Sequence, residues 1–406
     1  MLKILVYAEV NRSQLYPVVP LLQELQKAGH HVTLRCSRSS LREMWEAGLE
    51  ASAVSDYVEF AQLNDWRGST YEQSLRALLD FLFERAALEV RDLSACCQYE
   101  KPDLLLVSAT YLGGCAWAMS RHLPLMTWAC DLLPFPASGI PPFGPGFPCS
   151  QGALGALKNW GRTNNAQKCF EQGLDPFNAL LTRMRLAPVR DFQGWFSTLP
   201  ALLYYTAEPF EYSRPWPQNV SLVGPNIWEP EDLPQLQLED DSRPIVLVSL
   251  GSSYQENENL LRCAAQGLPS DSYQVVATTC SHAPQDFKEF PNLQIVRFAS
   301  HNQILERAAC LICSGGLNLV QKALYHAVPV CVVPQLRSQL EVGQRVVNSD
   351  VGQVVEFKKL SPSILSGAVS KAIGKKAKLA PLSQIFREMD STQRALSIFT
   401  HFLSES

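Results

Sequence analysis

The chain has 406 residues, 46% of them hydrophobic and 18% charged, and its 35 Lys+Arg against 39 Asp+Glu give a formal net charge of −4. That length suits two domains, each with a sizeable core, and the charge balance excludes a general attraction to nucleic acid. No stretch approaches the roughly 18 to 20 apolar residues of a membrane span, and the twelve cysteines lack a secreted-domain framework, so a soluble cytoplasmic protein is expected.

The amino terminus, Met1 to Tyr7, reads as a strand rather than a signal peptide. The strand Ile4 to Ala8 leads through Glu9-Val10-Asn11-Arg12-Ser13-Gln14 into a helix from about Pro17 to Ala28. Val18, Leu21, Leu22 and Leu25 give that helix one apolar stripe, and Gly29 ends it. A second strand follows at His31 to Leu34 and a later one at Asp103 to Val107, with helical segments between, which is βαβ winding. Residues 132 to 165 break this rhythm with Pro134, Pro136, Pro141, Pro142, Pro145 and Pro148 among glycine and phenylalanine. A loop of that length faces a substrate or is a solvent-exposed connector.

A second break runs from Glu229 to Pro244. It is acidic and proline-punctuated, as an interdomain linker should be. Beyond it, Ile245-Val246-Leu247-Val248-Ser249-Leu250-Gly251-Ser252-Ser253 restarts the βα pattern. Ala309 to Cys313 is an apolar strand running into Ser314-Gly315-Gly316, then a helix with the 3.6 period from Leu317. A small-residue turn at a helix start exposes backbone N–H groups where the macrodipole favours anions, so it fits a phosphate, although glycine there also serves strand–helix packing. Val328 to Gln335 is a further buried-strand pattern, followed by Ser338 and Gln339. In an open parallel sheet Ser314 and Gln339 should look into one crevice. Cys310 and Cys313 lie along a strand whose alternation sends the two sulfurs to opposite faces, which argues against redox or metal use.

Several blocks in register, Val223-Gly224-Pro225-Asn226-Ile227-Trp228-Glu229-Pro230, Arg243 to Ser252, the Ser-Gly-Gly-x-Asn turn at Ser314 to Asn318 and Val333-Pro334-Gln335, resemble the UDP-glycosyltransferase superfamily (glycosyltransferase family 1). Gly29-His30-His31-Val32 after the first helix fits the same pattern. The resemblance implies a GT-B fold, two Rossmann-like α/β domains facing across a cleft. Residues 1–228 would bind the acceptor, 229–244 form the linker, and 245–385 hold a nucleotide-diphosphate sugar. Residues 386–406 would form a last helix packing back on the first domain. It further implies inverting transfer from a UDP- or TDP-sugar cosubstrate to a fairly apolar small molecule, of the kind made in natural-product biosynthesis. No metal, further cofactor, nucleic acid or membrane is called for, and a monomer or homodimer is expected.

Site residues carry over by position. The base and ribose would lie along Phe298 to Gln303, including His301. The diphosphate would meet Ser314, Gly315, Gly316 and Asn318, with Ser252 near the phosphates, and the sugar hydroxyls would meet Ser338 and Gln339. The family's general-base histidine falls at Gln14 and its orienting aspartate at Ser108, so both members of the usual dyad are replaced. Ser314, Ser338 and Lys322 also stand where histidine, an acidic residue and a ribose-binding glutamate are usual. Glutamine accepts no proton at neutral pH. Three readings follow: Glu9 or Asp131 supplies the base; the acceptor is an acidic phenol, an activated aromatic carbon or a heteroaromatic nitrogen that needs little deprotonation, with C-glycosylation among the outcomes; or the fold survives without the chemistry, as a binding or auxiliary partner.

Overall fold

The structure, a computed structural model, describes residues 1–8, 11–61, 70–98, 100–135, 139–148, 167–251, 258–280, 282–287, 289–335 and 337–405, with residues 63, 68 and 137. Two wholly parallel sheets organise it. The first runs β3-β2-β1-β4-β5-β6-β7, with β1 at Lys3–Tyr7, β2 at His31–Cys36, β3 at Glu50–Ala53, β4 at Leu104–Ser108, β5 at Leu125–Ala129, β6 at Leu202–Tyr204 and β7 at Val220–Leu222. The second runs β10-β9-β8-β11-β12-β13, with β8 at Ile245–Ser249, β9 at Gln274–Thr278, β10 at Leu293–Val296, β11 at Ala308–Cys313, β12 at Val330–Val332 and β13 at Gly352–Val354. In each sheet the order reverses beside the first strand, which opens a crevice at the strands' carboxyl ends.

Helices cover both faces, so the central strands are apolar throughout rather than alternating. The helices that position the site are α1 (Arg12–Leu15), α2 (Val19–Lys27), α3 (Tyr71–Cys96), α4 (Leu112–Met119), α5 (His301–Leu305), α6 (Leu317–Tyr325), α7 (Arg337–Asn348) and α8 (Ser391–Glu405). Leu5 and Tyr7 of β1 face one core layer while Ile4 and Val6 face the other. Cys310 and Cys313 likewise join opposite layers of the second domain, and all cysteines among the described residues are free thiols. Trp195, Phe196 and Tyr204 pack in one layer of the first domain and Tyr205 in the other.

The sequence pattern predicts one helix over Pro17 to Ala28. The structure instead has α1, a 3-10 turn at Tyr16–Val18, and α2. Pro17 and Pro20 each lack an N–H and each sits at a helical start, so the chain restarts twice where periodicity alone shows one stripe. Helix α8 returns to the first domain: Ala395 and Phe399 are buried with Val19 and Leu22, and Asn226 Nδ2 donates to Ser391 Oγ at 3.1 Å. Among the described residues no helix is long and apolar enough to cross a membrane.

Candidate functional site

The first-domain half of the site is the turn after β1. Asn11 caps α1 by accepting from Ser13 N at 3.1 Å, which fixes the turn and points Gln14 inward, where it is 6% exposed. The end of β5 then grips Gln14 twice. Trp128 Nε1 donates to its carbonyl at 3.0 Å, and its own Nε2 donates to Asp131 Oδ2 at 2.7 Å. Among the described residues, Asp131 is a carboxylate that the fold brings to face the turn. Ser108, at the end of β4, is buried, with its hydroxyl 3.2 Å from Thr110 Oγ1. Glu9 and Ser252 lie outside the described residues.

The second-domain half is the turn between β11 and α6. Gly315 has φ +103, and a Cβ there would stand 2.8 Å from Val332 Cγ1 and 3.1 Å from the Gln339 carbonyl, so the turn passes too close to α7 for any side chain. Gly316 caps α6 in extended conformation and a Cβ on it would meet open space, which leaves the N-terminal amides of α6 accessible. Ser314 is buried beside Gly251. Gln339 is 7% exposed and held by Gln335 N, which donates to its Oε1 at 2.9 Å, while Ser338 is half-buried one residue earlier. Ser314, Gly315 and Gln339 thus converge at the carboxyl ends of β11 and β12.

The two halves touch. Asn318 Nδ2 donates to the Ser13 carbonyl, and Gln321 Nε2 donates to the Tyr205 carbonyl at 3.0 Å, so one helix of the second domain is bonded to α1 and to the end of β6 in the first. A cleft of about 520 Å³ opens alongside, between Tyr16 and Glu43 of the first domain, Leu233 and Pro234 of the linker, and Arg297 and Phe298 of the second domain. Arg12 bridges its rim, paired with Glu43 at 3.0 Å and 5.6 Å from the Phe298 ring centre.

The linker supplies a residue that its acidic composition hid. Glu229 reads as a solvated linker acid, yet it is folded under α5 and α6. It accepts from Ser300 Oγ at 2.9 Å, His301 N at 3.1 Å and Asn302 N at 3.2 Å, and pairs with Lys322 Nζ at 2.5 Å. Burial pushes the Glu229 carboxyl up, but Lys322 and these donors outweigh it and hold it below its usual range. The available signal was Lys322 itself. It falls on the buried face of an amphipathic helix with Val320 and Leu324, and a buried ammonium demands a counter-charge. His326, which shows no partner in the sequence, has Nε2 3.1 Å from Asn302 Oδ1.

His301 turns its ring to the sheet, with Nε2 3.0 Å from Thr278 Oγ1, and burial lowers its pKa from 6.5 to about 4. The unfolded chain takes up this proton first. The stability contributed by the neutral ring is present above pH 6.5 and is lost as pH falls through about 4. Urea unfolding of the wild type should lose up to about 3 kcal/mol over that window relative to His301→Gln; parallel curves for the two proteins would contradict the assignment. Among the described residues no group of three or more His, Cys, Asp or Glu is placed to hold a metal ion.

Two doubly wound domains whose strand-end crevices meet at the turns after β1 and β11 define a GT-B fold. The family model described as UDP-glucoronosyl and UDP-glucosyl transferase matches residues 168–396, and the chain belongs to that family. Among curated relatives, the 4'-demethylrebeccamycin synthase of Lentzea aerocolonigenes is 27% identical over 383 residues, covering 90% of each chain. Among solved structures, the glycotransferase of kitacinnamycin superposes with a TM-score of 0.77 at 17% identity, over 99% of this chain and 100% of that one. The glycosyltransferase VinC in complex with DTDP superposes at 0.69 with 19% identity, over 100% of both.

Proposed function

We propose that this enzyme transfers a sugar, with inversion, from a TDP- or UDP-sugar to a fairly apolar small-molecule acceptor, and that Asp131 is its general base. The observation that carries the reading is the 2.7 Å bond from Gln14 Nε2 to Asp131 Oδ2, made beside the Ser13 carbonyl that Asn318 reaches from the other domain. Gln14 occupies the place of the family's histidine but has no site for a proton. What it does is donate to a carboxylate and fix its orientation. Asp131 would take the proton of the acceptor hydroxyl as that oxygen bonds to the anomeric carbon. The bond from this carbon to the diphosphate oxygen breaks on the opposite face, and the configuration inverts.

The departing diphosphate needs positive potential at the moment of cleavage. The first amides of α6, beyond Ser314-Gly315-Gly316, provide it as fixed donors that cost no reorganisation. Ser338 and Gln339 would meet the sugar hydroxyls, and the base would lie beside Phe298, which lines the cleft. A TDP-bound relative and relatives named for natural products support the donor and acceptor classes. Thermal-shift titrations with UDP, TDP and GDP test the donor site: at a hundred times Kd a bound nucleotide adds about 2.7 kcal/mol to stability and raises Tm. A flat response to all three would overturn the reading.

A further inference from the structure

The loop that begins at Asp131 does not stay in its own domain. Leu132 is buried in the core of the second domain, and Phe143 packs against the cores of both. Gly144 N and Gly146 N donate to one oxygen of Glu341, at 2.6 and 3.0 Å. Glu341 is on α7, two residues beyond Gln339, is 5% exposed, and is balanced by Arg345 Nη1 at 3.1 Å from its other oxygen. Both glycines are required where they stand. Gly146 has φ +63, and a Cβ on it would lie 2.5 Å from the Leu340 carbonyl; Gly144 has φ +127, and a Cβ on it would lie 1.9 Å from the Tyr71 ring. From the first domain, Tyr71 OH donates to the Phe143 carbonyl at 2.8 Å. A mere connector needs neither a buried carboxylate aimed at two of its amides nor two glycines at sub-contact distance.

We propose that Glu341 is a positioning residue for the acceptor side: from the donor-side helix it anchors the proline- and glycine-rich loop whose other end is Asp131. The wall of the acceptor pocket is then set by the same helix that carries Ser338 and Gln339, so closing the second domain against the first also fixes the acceptor wall. This rests on the sugar-transfer reading for its consequence, but not for its geometry. Lengthening the loop or loosening Glu341 should relax acceptor selection without touching the nucleotide.

Hydrogen exchange at Gly144 and Gly146 tests the anchor on the full chain. Both amides should be protected in the wild type and exchange at least about tenfold faster in Glu341→Ala. In Glu341→Gln, which keeps one acceptor oxygen, the change should be intermediate. Gly146→Ala removes the contact from the loop side, and should give the same loss of protection at Gly144 even if Glu341→Ala does not fold. With TDP-glucose and the phenol 4-methylumbelliferone as probes, KM for the phenol should rise about tenfold with kcat changed less than about threefold and the TDP thermal shift intact. Equal exchange in wild type and both alanine variants overturns the anchor. Loss of the TDP shift in Glu341→Ala with phenol KM unchanged also overturns it, placing Glu341 in the donor site instead. The exchange measurement is independent of turnover, so a failure of the anchor and a failure of sugar transfer are told apart.

Discussion

Asp131→Asn lowers kcat by at least about a hundredfold, the loss typical of removing a general base, while the nucleotide-induced thermal shift stays at its wild-type value. The amide is isosteric, and its oxygen still accepts from Gln14 Nε2, so the 2.7 Å bond across the turn survives and only the proton-accepting group is lost. Gln14→Ala acts differently. It leaves the base but frees its orientation, and losing a hydrogen bond to a charged group lowers turnover by about tenfold or more. The pair is read together: effects of residues that act as one unit are not additive, so the double variant should be little worse than Asp131→Asn alone. Turnover of Asp131→Asn within about threefold of wild type would remove Asp131 from the mechanism. A hundredfold loss in Glu9→Gln instead would assign the base to the other candidate carboxylate, and no loss in either would favour an acceptor acidic enough to need no base.

How much of this was legible in the sequence differs by kind of signal. The central strands of both sheets announce themselves because parallel strands covered on both faces are apolar throughout, as at Ile245 to Ser249 or Leu104 to Ser108, whereas edge strands such as Glu50–Ala53 carry no such run and are not legible. Glycine is equally plain at Gly315, where positive φ and the approach of α7 forbid a side chain. Pairings across long stretches of chain are not legible. Its place after an apolar strand makes Asp131 a candidate base in the sequence, but nothing local at Gln14 names it as the partner 117 residues away. Glu229 is misread for a related reason. Acid next to proline is what a solvated linker looks like, and only the buried Lys322, 93 residues on, tells that this carboxylate is needed inside. Helix starts are lost where proline resets the chain without interrupting the apolar stripe, as between α1 and α2.

Replacing Arg345 by Met costs about 3 to 5 kcal/mol in unfolding free energy, the penalty for stripping one partner from a buried ion cluster. Arg345 is 2% exposed and sits on α7 of the second domain, while Glu211 comes from the first. Its Nε and Nη2 meet Glu211 Oε1 at 3.1 and 2.7 Å, and its guanidinium lies 4.2 Å from the centre of the Tyr212 ring. Burial would lower the guanidinium's pKa, but Glu211 and Glu341 outweigh it and raise it, so the cation persists at any pH the fold survives. Removing it leaves two buried carboxylates, Glu211 and Glu341, each short of a donor. Glu211 keeps Arg214 at 3.1 Å and Tyr204 OH at 2.9 Å, and Glu341 keeps only the loop amides among the bonds described above. Arg345→Lys retains charge but not the planar fork, and should fall between. An exposed control such as Arg42→Ala, whose partner Glu46 lies one helical turn away at the surface, should change stability by less than about 1 kcal/mol. Because the cluster joins one domain to the other, urea unfolding of Arg345→Met should broaden into two transitions, monitored by tryptophan fluorescence and circular dichroism together. A single sharp transition shifted by less than about 1 kcal/mol would mean that the domains are held without Arg345, by the Asn318 and Gln321 bonds of α6, the Glu341 bonds to the loop amides and the α8 return.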